Sequence, residues 1–294
     1  MNGPTFPAPR PRLAILFWCY KDVDLCVNRV RLLRRFNPFT PIYVVYGGAS
    51  GLARSEFGDA MRELVDDFYA FDRVAHPIWR WLSGDLMLVE WFRSRGHRFE
   101  WDTVVVVQWD MLVAQPVDTL FGDLACGEVL LSGLRPVSTM LDWWGWVSPH
   151  RGTFYREFEE FVDLVRQRYG FTGEPFGCIF IVVCLPRAFM VRLAEEGIED
   201  GFIEYRVPVL AQAFGFPFAR HERFRPWAPH DPDSAGWRGF RRRALNGVGQ
   251  EVSRLRLACE LALPRGFRVF HPVRYPIRDD TRSLLVAVLG SARS

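Results

Sequence analysis

The run Thr103-Val-Val-Val-Val-Gln-Trp-Asp110, with Met111-Leu-Val113 behind it, constrains this chain most. Four consecutive valines need burial on both faces, so they read as a central strand of a parallel-type sheet. The run ends on a carboxylate. Open α/β sheets bind ligands in the crevice beyond the carboxyl ends of their strands, which is where Asp110 falls. A carboxylate at that point can equally cap a turn, and the strand alone does not choose between the two.

At 294 residues the chain can form one large α/β domain or two small ones, and 49% hydrophobic residues supply a substantial core. A net charge of +3 is too small for a nucleic-acid coat protein but suits a small anionic ligand held by a few arginines. Lys21 is the only lysine, which removes lysine-based covalent chemistry everywhere else. The six cysteines form no CxxC pair, and Cys19, Cys178 and Cys184 lie in apolar runs. They read as buried thiols of a cytoplasmic protein, not as disulfides or zinc ligands. Residues Met1 to Pro11 are proline-rich without the apolar core of a signal peptide. No run reaches the roughly 18 apolar residues of a membrane span, so no integral membrane contact is expected.

In chain order, Leu13–Trp18 reads as a first strand, Lys21–Phe36 as an amphipathic helix stopped by Asn37-Pro38, and Pro41–Tyr46 as a second strand. Together they have the size of one βαβ crossover. Gly47, Gly48 and Gly51 do not make a GxGxxG fingerprint, and no P-loop motif is present. A helix over Glu56–Asp67 and a short strand over Asp67–Asp72 follow. Arg80 and Asp85 then stand at the start of a helix running from Gly84, where a helix N-terminus and a guanidinium favour an anion. Pro116–Leu124 is a short helix or turn and Gly127–Ser132 a strand. Asp142-Trp-Trp-Gly-Trp-Val147 is an aromatic loop, which reads either as a wall for sugar rings and bases or as a lid over the core.

Thr153–Tyr169 is an amphipathic helix, Pro175–Pro186 a second fully apolar strand, and Arg187–Glu196 a helix. Glu204 and Arg206 open an apolar helix reaching Phe214, with Pro208 expected in its first turn. Pro226–Trp237 reads as a polar loop, with His221 and His230 nearby, and Arg241–Leu263 as a helix. Gly266–His271 is a last strand, followed by Pro272-Val-Arg-Tyr-Pro276. No repeat or linker divides the chain. The expectation is one domain over residues 12–276, between a proline-rich arm (1–11) and a C-terminal tail (277–294).

The order of these features resembles the GT-A glycosyltransferases over roughly residues 12–276. Three motifs carry the resemblance. Gln108-Trp-Asp110 stands in the place of the DxD signature, Phe202-Ile-Glu204-Tyr-Arg-Val-Pro208 in that of the acidic helix lining the acceptor site, and His271-Pro-Val-Arg274 in that of the C-terminal metal-and-phosphate motif. The resemblance implies a single GT-A-like domain, with a mostly parallel central sheet flanked by helices. It also implies sugar transfer from a nucleoside diphosphate sugar to a hydroxyl-bearing small molecule or glycan.

By the same resemblance, Asp110 and His271 hold Mn²⁺ or Mg²⁺, a donor set that hard cations and Mn²⁺ accept. Arg274 holds a phosphate oxygen. Trp18 and Tyr20 border the nucleoside, while Arg80, Asp85, Gln108 and Trp109 complete the donor site. Trp143, Trp144 and Trp146 form part of an acceptor wall. Glu204, with Asp142 as second candidate, is the base an inverting enzyme requires. Gln108 departs from the acidic first position of the signature and adds no charge. A metal-free reading leaves Arg80, Arg274 and Lys21 to neutralise the diphosphate. Residue by residue, Glu204 also reads as a carboxylate favoured by a helix dipole, and His271 as a strand-end imidazole bonded to backbone. Two rival functions are a sugar-phosphate nucleotidyltransferase and a non-catalytic nucleotide-sugar-binding protein. The first rival normally shows a Gly- and Arg-rich loop after the first strand, where this chain has Cys19-Tyr-Lys-Asp22.

Overall fold

A computed structural model describes residues 10–48, 51–71, 77–221, 224 and 251–277. The fold is α/β, built on a mostly parallel six-stranded sheet flanked by helices. The strands in chain order are β1 (Leu13–Cys19), β2 (Ile42–Tyr46), β3 (Asp67–Ala70), β4 (Thr103–Gln108), β5 (Leu112–Val113), β6 (Leu130–Pro136), β7 (Phe176–Pro186) and β8 (Val269–Phe270). The large sheet runs β3-β2-β1-β4-β7-β6, and β5 pairs with β8 in a separate two-stranded ladder. Strand β4 lies inside the sheet and its four valines are buried, as their run requires. It stops at Gln108, because the Met111 N–H turns back onto the Gln108 carbonyl at 2.9 Å.

The chain divides into two compact units. One comprises Ile15–Val74, Val106–Thr119 and Glu222–Ser294. In it β1, β2 and β3 are parallel neighbours, with Phe17 opposite Val44 and Val44 opposite Phe68. Helix α1 (Val23–Phe36) connects the first two strands and helix α2 (Gly51–Met61) the next two. Asp22 caps α1, accepting from the Leu25 N–H at 3.1 Å, with a left-handed backbone (φ 58°) that Asp tolerates better than most residues. Helix α2 ends earlier than the pattern predicts. Asp66 is drawn to the strand side, where one carboxylate oxygen accepts from the Ile42 N–H and from Arg34. An apolar cluster joins Leu32 and Phe36 of α1 to Leu112, Phe270, Val273 and Leu257. Leu257 belongs to a C-terminal helix (Arg254–Ala262) capped by Ser253. The predicted helix over Arg241–Leu263 is thus described only in its second half. Residues 241–250, the loop Pro226–Trp237 with His230, most of the proline-rich arm and nearly all of the tail lie outside the described residues.

The other unit comprises Met1–Ala14, Ala75–Val105 and Leu120–His221. Here β6 and β7 are antiparallel, with register shifts at Ser132, and β6 starts three residues later than predicted. A short helix α3 (Pro77–Leu82) precedes α4 (Gly84–Ser94). Helix α5 (Val117–Phe121) straddles the boundary between the units. Helices α6 (Thr153–Tyr169), α7 (Arg187–Glu196) and α8 (Ile203–Ala213) follow, with α8 packed on β7 and α6 packed on α8. Helix α8 begins at Ile203, so Pro208 lies in its interior and not in its first turn. Having no N–H, Pro208 returns no bond to the carbonyl of Glu204, four residues back.

Candidate functional site

The predicted metal residues Asp110 and His271 and the predicted phosphate residue Arg274 fall together in the unit that holds α1, while Arg80 and Asp85 belong to the other unit. The tight turn after β4 presents Asp110, while the β5–β8 ladder carries the chain into His271-Pro-Val-Arg274. The Val273 N–H donates to the Asp110 carbonyl at 2.7 Å. Helix α1 holds the same segment from behind. Arg29, 1% exposed, donates through Nη2 to the carbonyls of Val273 and Tyr275, each at 2.8 Å. Asn28 adds bonds in both directions to the backbone of Ile277.

The side chains converge as a result. His271 Nε2 lies 3.2 Å from Asp110 Oδ1, and Arg274 Nε lies 3.5 Å from Oδ2. Burial pushes the Asp110 carboxyl up, but contact with His271 and the charge of Arg274 outweigh it and hold the group below its ordinary value. Although so close to the imidazole, Oδ1 is buried without a hydrogen-bond partner, and so is Nδ1 of His271. A carboxylate oxygen orphaned against an imidazole fits a divalent cation that accepts both donors. No group of three or more His, Cys, Asp or Glu suited to a metal occurs among the described residues. Asp110 therefore meets both of its readings, standing in a turn and facing the His271 imidazole and the Arg274 guanidinium.

Aromatic groups border this cluster. Trp109 is 5% exposed and meets Tyr20 edge-on at 5.8 Å, and Tyr20 lies 6.1 Å from Trp18. Trp18 is buried, with its indole N–H unpartnered. Burial pushes the Tyr20 hydroxyl above its ordinary value. Gln108, at the end of β4, is half-buried.

The remaining predicted residues lie in the other unit. Glu204, in the first turn of α8, accepts from the Phe180 N–H of β7 at 3.4 Å. Part of the residue reaches solvent, but the protein around its carboxyl pushes it up to about 8. Asp85, at the start of α4, has both oxygens on Arg206, from Nε at 2.8 Å and Nη2 at 2.5 Å. Arg206 is fully buried and also bonds the carbonyls of Glu199, Asp200 and Gly201. Arg80 is buried on α3, with Nε unpartnered.

Of the three loop tryptophans, Trp144 is buried, and it leans on Gly177 of β7, where a Cβ would come within 2.8 Å of its ring. Trp143 is exposed at the surface and Trp146 is half-buried. Trp146 centres an aromatic cluster with Phe202 at 4.4 Å, Phe154 at 4.7 Å and Trp81 at 5.6 Å. Asp142 is exposed at the edge of this loop.

The amino-acid sequence alone assigned no role to Arg29 or Arg206 and did not show the partners of Trp146. Both arginines were legible in principle. Arg29 falls on the apolar stripe of α1 with Leu25, Cys26, Leu32, Leu33 and Phe36, and Arg206 shares its stripe with Ile203, Val207 and Leu210. An arginine on a buried stripe must meet acceptors inside the protein.

No protein-family model and no curated protein matches the sequence. Among solved structures, the galactosyltransferase LgtC in complex with donor and acceptor sugar analogs superposes with a TM-score of 0.41 at 13% identity, covering 95% of each chain. An active-site mutant of LgtC gives 0.44, also at 13% identity and 95% of each chain. The apo structure of the bifunctional glycosyltransferase WbbM gives 0.39 at 12% identity, covering 77% of this chain, which spans 40% of the WbbM chain. At these values the likenesses assign the chain to no family.

Proposed function

We propose that this protein is a GT-A-type glycosyltransferase that moves a hexose-like sugar from a nucleoside diphosphate sugar to a hydroxyl acceptor. The observation that carries the reading is the convergence of Asp110, His271 and Arg274 at the end of a buried sheet strand. The carboxylate of Asp110 meets there an imidazole and a guanidinium from one segment far along the chain, groups suited to a diphosphate with a divalent counterion.

Asp110 and His271 are the residues that hold Mn²⁺ or Mg²⁺. When bound, the cation supplies Lewis-acid charge to the diphosphate leaving group. Arg274, whose side chain is half exposed, is free to turn a guanidinium edge to a phosphate oxygen. Trp18 and Tyr20 border the nucleoside, and Gln108 accepts from a ribose hydroxyl. Glu204 takes the acceptor proton. A carboxyl pushed up to about 8 is tuned close to working pH, which favours proton transfer in either direction. Asp85 works through Arg206 and so holds the start of α8 in place. Arg80 meets an anionic group of the substrate, since a buried guanidinium is costly without one. Trp143, Trp144 and Trp146 contribute the acceptor wall.

Calorimetry with uridine and guanosine diphosphates, with and without Mn²⁺, tests the reading. The wild type should bind a nucleoside diphosphate more tightly with Mn²⁺, and Asp110→Ala and His271→Ala should each lose that increment. Failure to bind any nucleoside diphosphate would overturn the proposal. Donor hydrolysis unchanged in both variants would remove the metal assignment alone.

A further inference from the structure

Lys21, the only lysine of the chain, sits on aromatic faces. Its Nζ lies 4.6 Å from the centre of the Trp109 ring and 5.6 Å from that of Tyr20. Trp109 is buried by packing and immediately precedes Asp110, so the ring that seats the ammonium is fixed beside the carboxylate–imidazole–guanidinium cluster. The loop that carries Lys21 is fixed as well. Its next residue, Asp22, spends its carboxylate on the N-terminus of α1. No carboxylate pairs with Lys21 among the described residues. An ammonium held by ring faces keeps its full charge and its three N–H donors available to an anion.

The charges nearby point the same way. Lys21 and Arg274 are cations, while the carboxylates of Asp22 and Glu251 accept from the N–H groups of Leu25 and Arg274. Gln108, two residues before Asp110, adds no charge, where an acid would add a negative one.

We propose that Lys21 is a built-in cation of the donor diphosphate site, one that recruits the diphosphate without a metal and selects it over a monophosphate. The proposal rests on the glycosyltransferase reading and extends it to a residue outside the motifs that suggested it. Lys21 touches the ligand, so it is a binding residue and not a support for another side chain.

The test is calorimetry in EDTA with uridine and guanosine as the diphosphate, the monophosphate and the free nucleoside. Lys21→Met should weaken diphosphate binding about tenfold, the monophosphate less, and the free nucleoside not at all. Lys21→Arg should keep most of the affinity. Wild-type affinity for the diphosphate should fall with added salt more steeply than that of Lys21→Met. Lys21 is exposed, and an unchanged thermal transition of Lys21→Met would show that the fold is intact.

Because no other lysine exists, acetylation with an N-hydroxysuccinimide ester reports on this one side chain by peptide mass spectrometry. The nucleoside diphosphate should slow it in EDTA. Equal diphosphate affinity in wild type and Lys21→Met, or acetylation that the diphosphate leaves unchanged, would overturn the role of Lys21 while the glycosyltransferase reading stands. A wild type that binds no nucleoside diphosphate under any condition would remove both.

Discussion

Asp110 and Glu204 are both carboxylates at the ends of buried elements, and their surroundings push them in opposite directions. Cationic neighbours hold Asp110 down, so its contribution to stability is present above the ordinary carboxylate range and is lost as pH falls through its folded value. Glu204 has no cation to offset burial and rises from 4.5 to about 8. Between those values the unfolded chain has released the proton and the folded chain keeps it, so ionising Glu204 weakens the fold as pH rises. Glu204→Gln should flatten that segment of the stability profile. Urea midpoints of the two proteins, measured across the window, should converge toward its acid end and separate in favour of the variant toward its basic end. If Glu204 is the base, kcat/KM should climb with pH up to about 8 and level off, and Glu204→Gln should lose about 10²–10⁴-fold in kcat with donor KM retained.

Helices α1 and α8 each bury an arginine on their apolar face and use it to hold a neighbouring segment. Arg206 neutralises Asp85 and gathers three carbonyls. Arg206→Met leaves Asp85 as an unpaired buried charge and should cost about 3–5 kcal/mol. The double change Asp85→Leu, Arg206→Met should recover much of that loss, which chemical denaturation can measure as a coupling energy. Arg29 plays the same part for the His271–Tyr275 segment, and burial lowers its guanidinium to about 10, still charged at neutral pH. Arg29→Met leaves the Val273 and Tyr275 carbonyls without their donor. Hydrogen exchange of the Val273 amide, which bonds the Asp110 carbonyl, should speed up in this variant. An unchanged rate would show that the β5–β8 ladder alone sets the segment.

Binding at the Asp110 cluster should register in the stability of the whole molecule. A ligand held a hundredfold above its Kd adds about 2.7 kcal/mol to the native state. In a chain of this size that is a rise of about 5 °C in the thermal transition. A nucleoside diphosphate with Mn²⁺ should produce it, and Asp110→Ala should reduce it to the increment seen without metal. The strands of the large sheet and most helices were legible because their cores follow simple periods, whereas β5 was not set apart from the valine run. The valine run of β4 and the apolar run of β7 needed only the rule that unbroken β-branched stretches are buried on both faces. Boundaries shifted where a polar side chain had a partner elsewhere. Asp66 ended α2 early to serve Ile42 and Arg34, and the Gln108 carbonyl ended β4 by taking the Met111 N–H.

By itself the sequence determined that a buried strand ends near Asp110, that an amphipathic helix follows the first strand, and that a carboxylate opens the helix after Phe202. These are local facts, set by burial periodicity and helix-end chemistry within a few residues. Only the resemblance paired Asp110 with His271; burial periodicity could not say that an imidazole 161 positions further on would come to 3.2 Å from that carboxylate. That required β5 to pair with β8 and Arg29 to grip the backbone of Val273 and Tyr275. Nor could it say that the ammonium of Lys21 would rest on Trp109, or that the carboxylate of Asp85 would close on Arg206 and not stand open. Side chains far apart in the chain acquire charge partners only when packing brings their elements together, and a pKa or a binding site is a property of those partners.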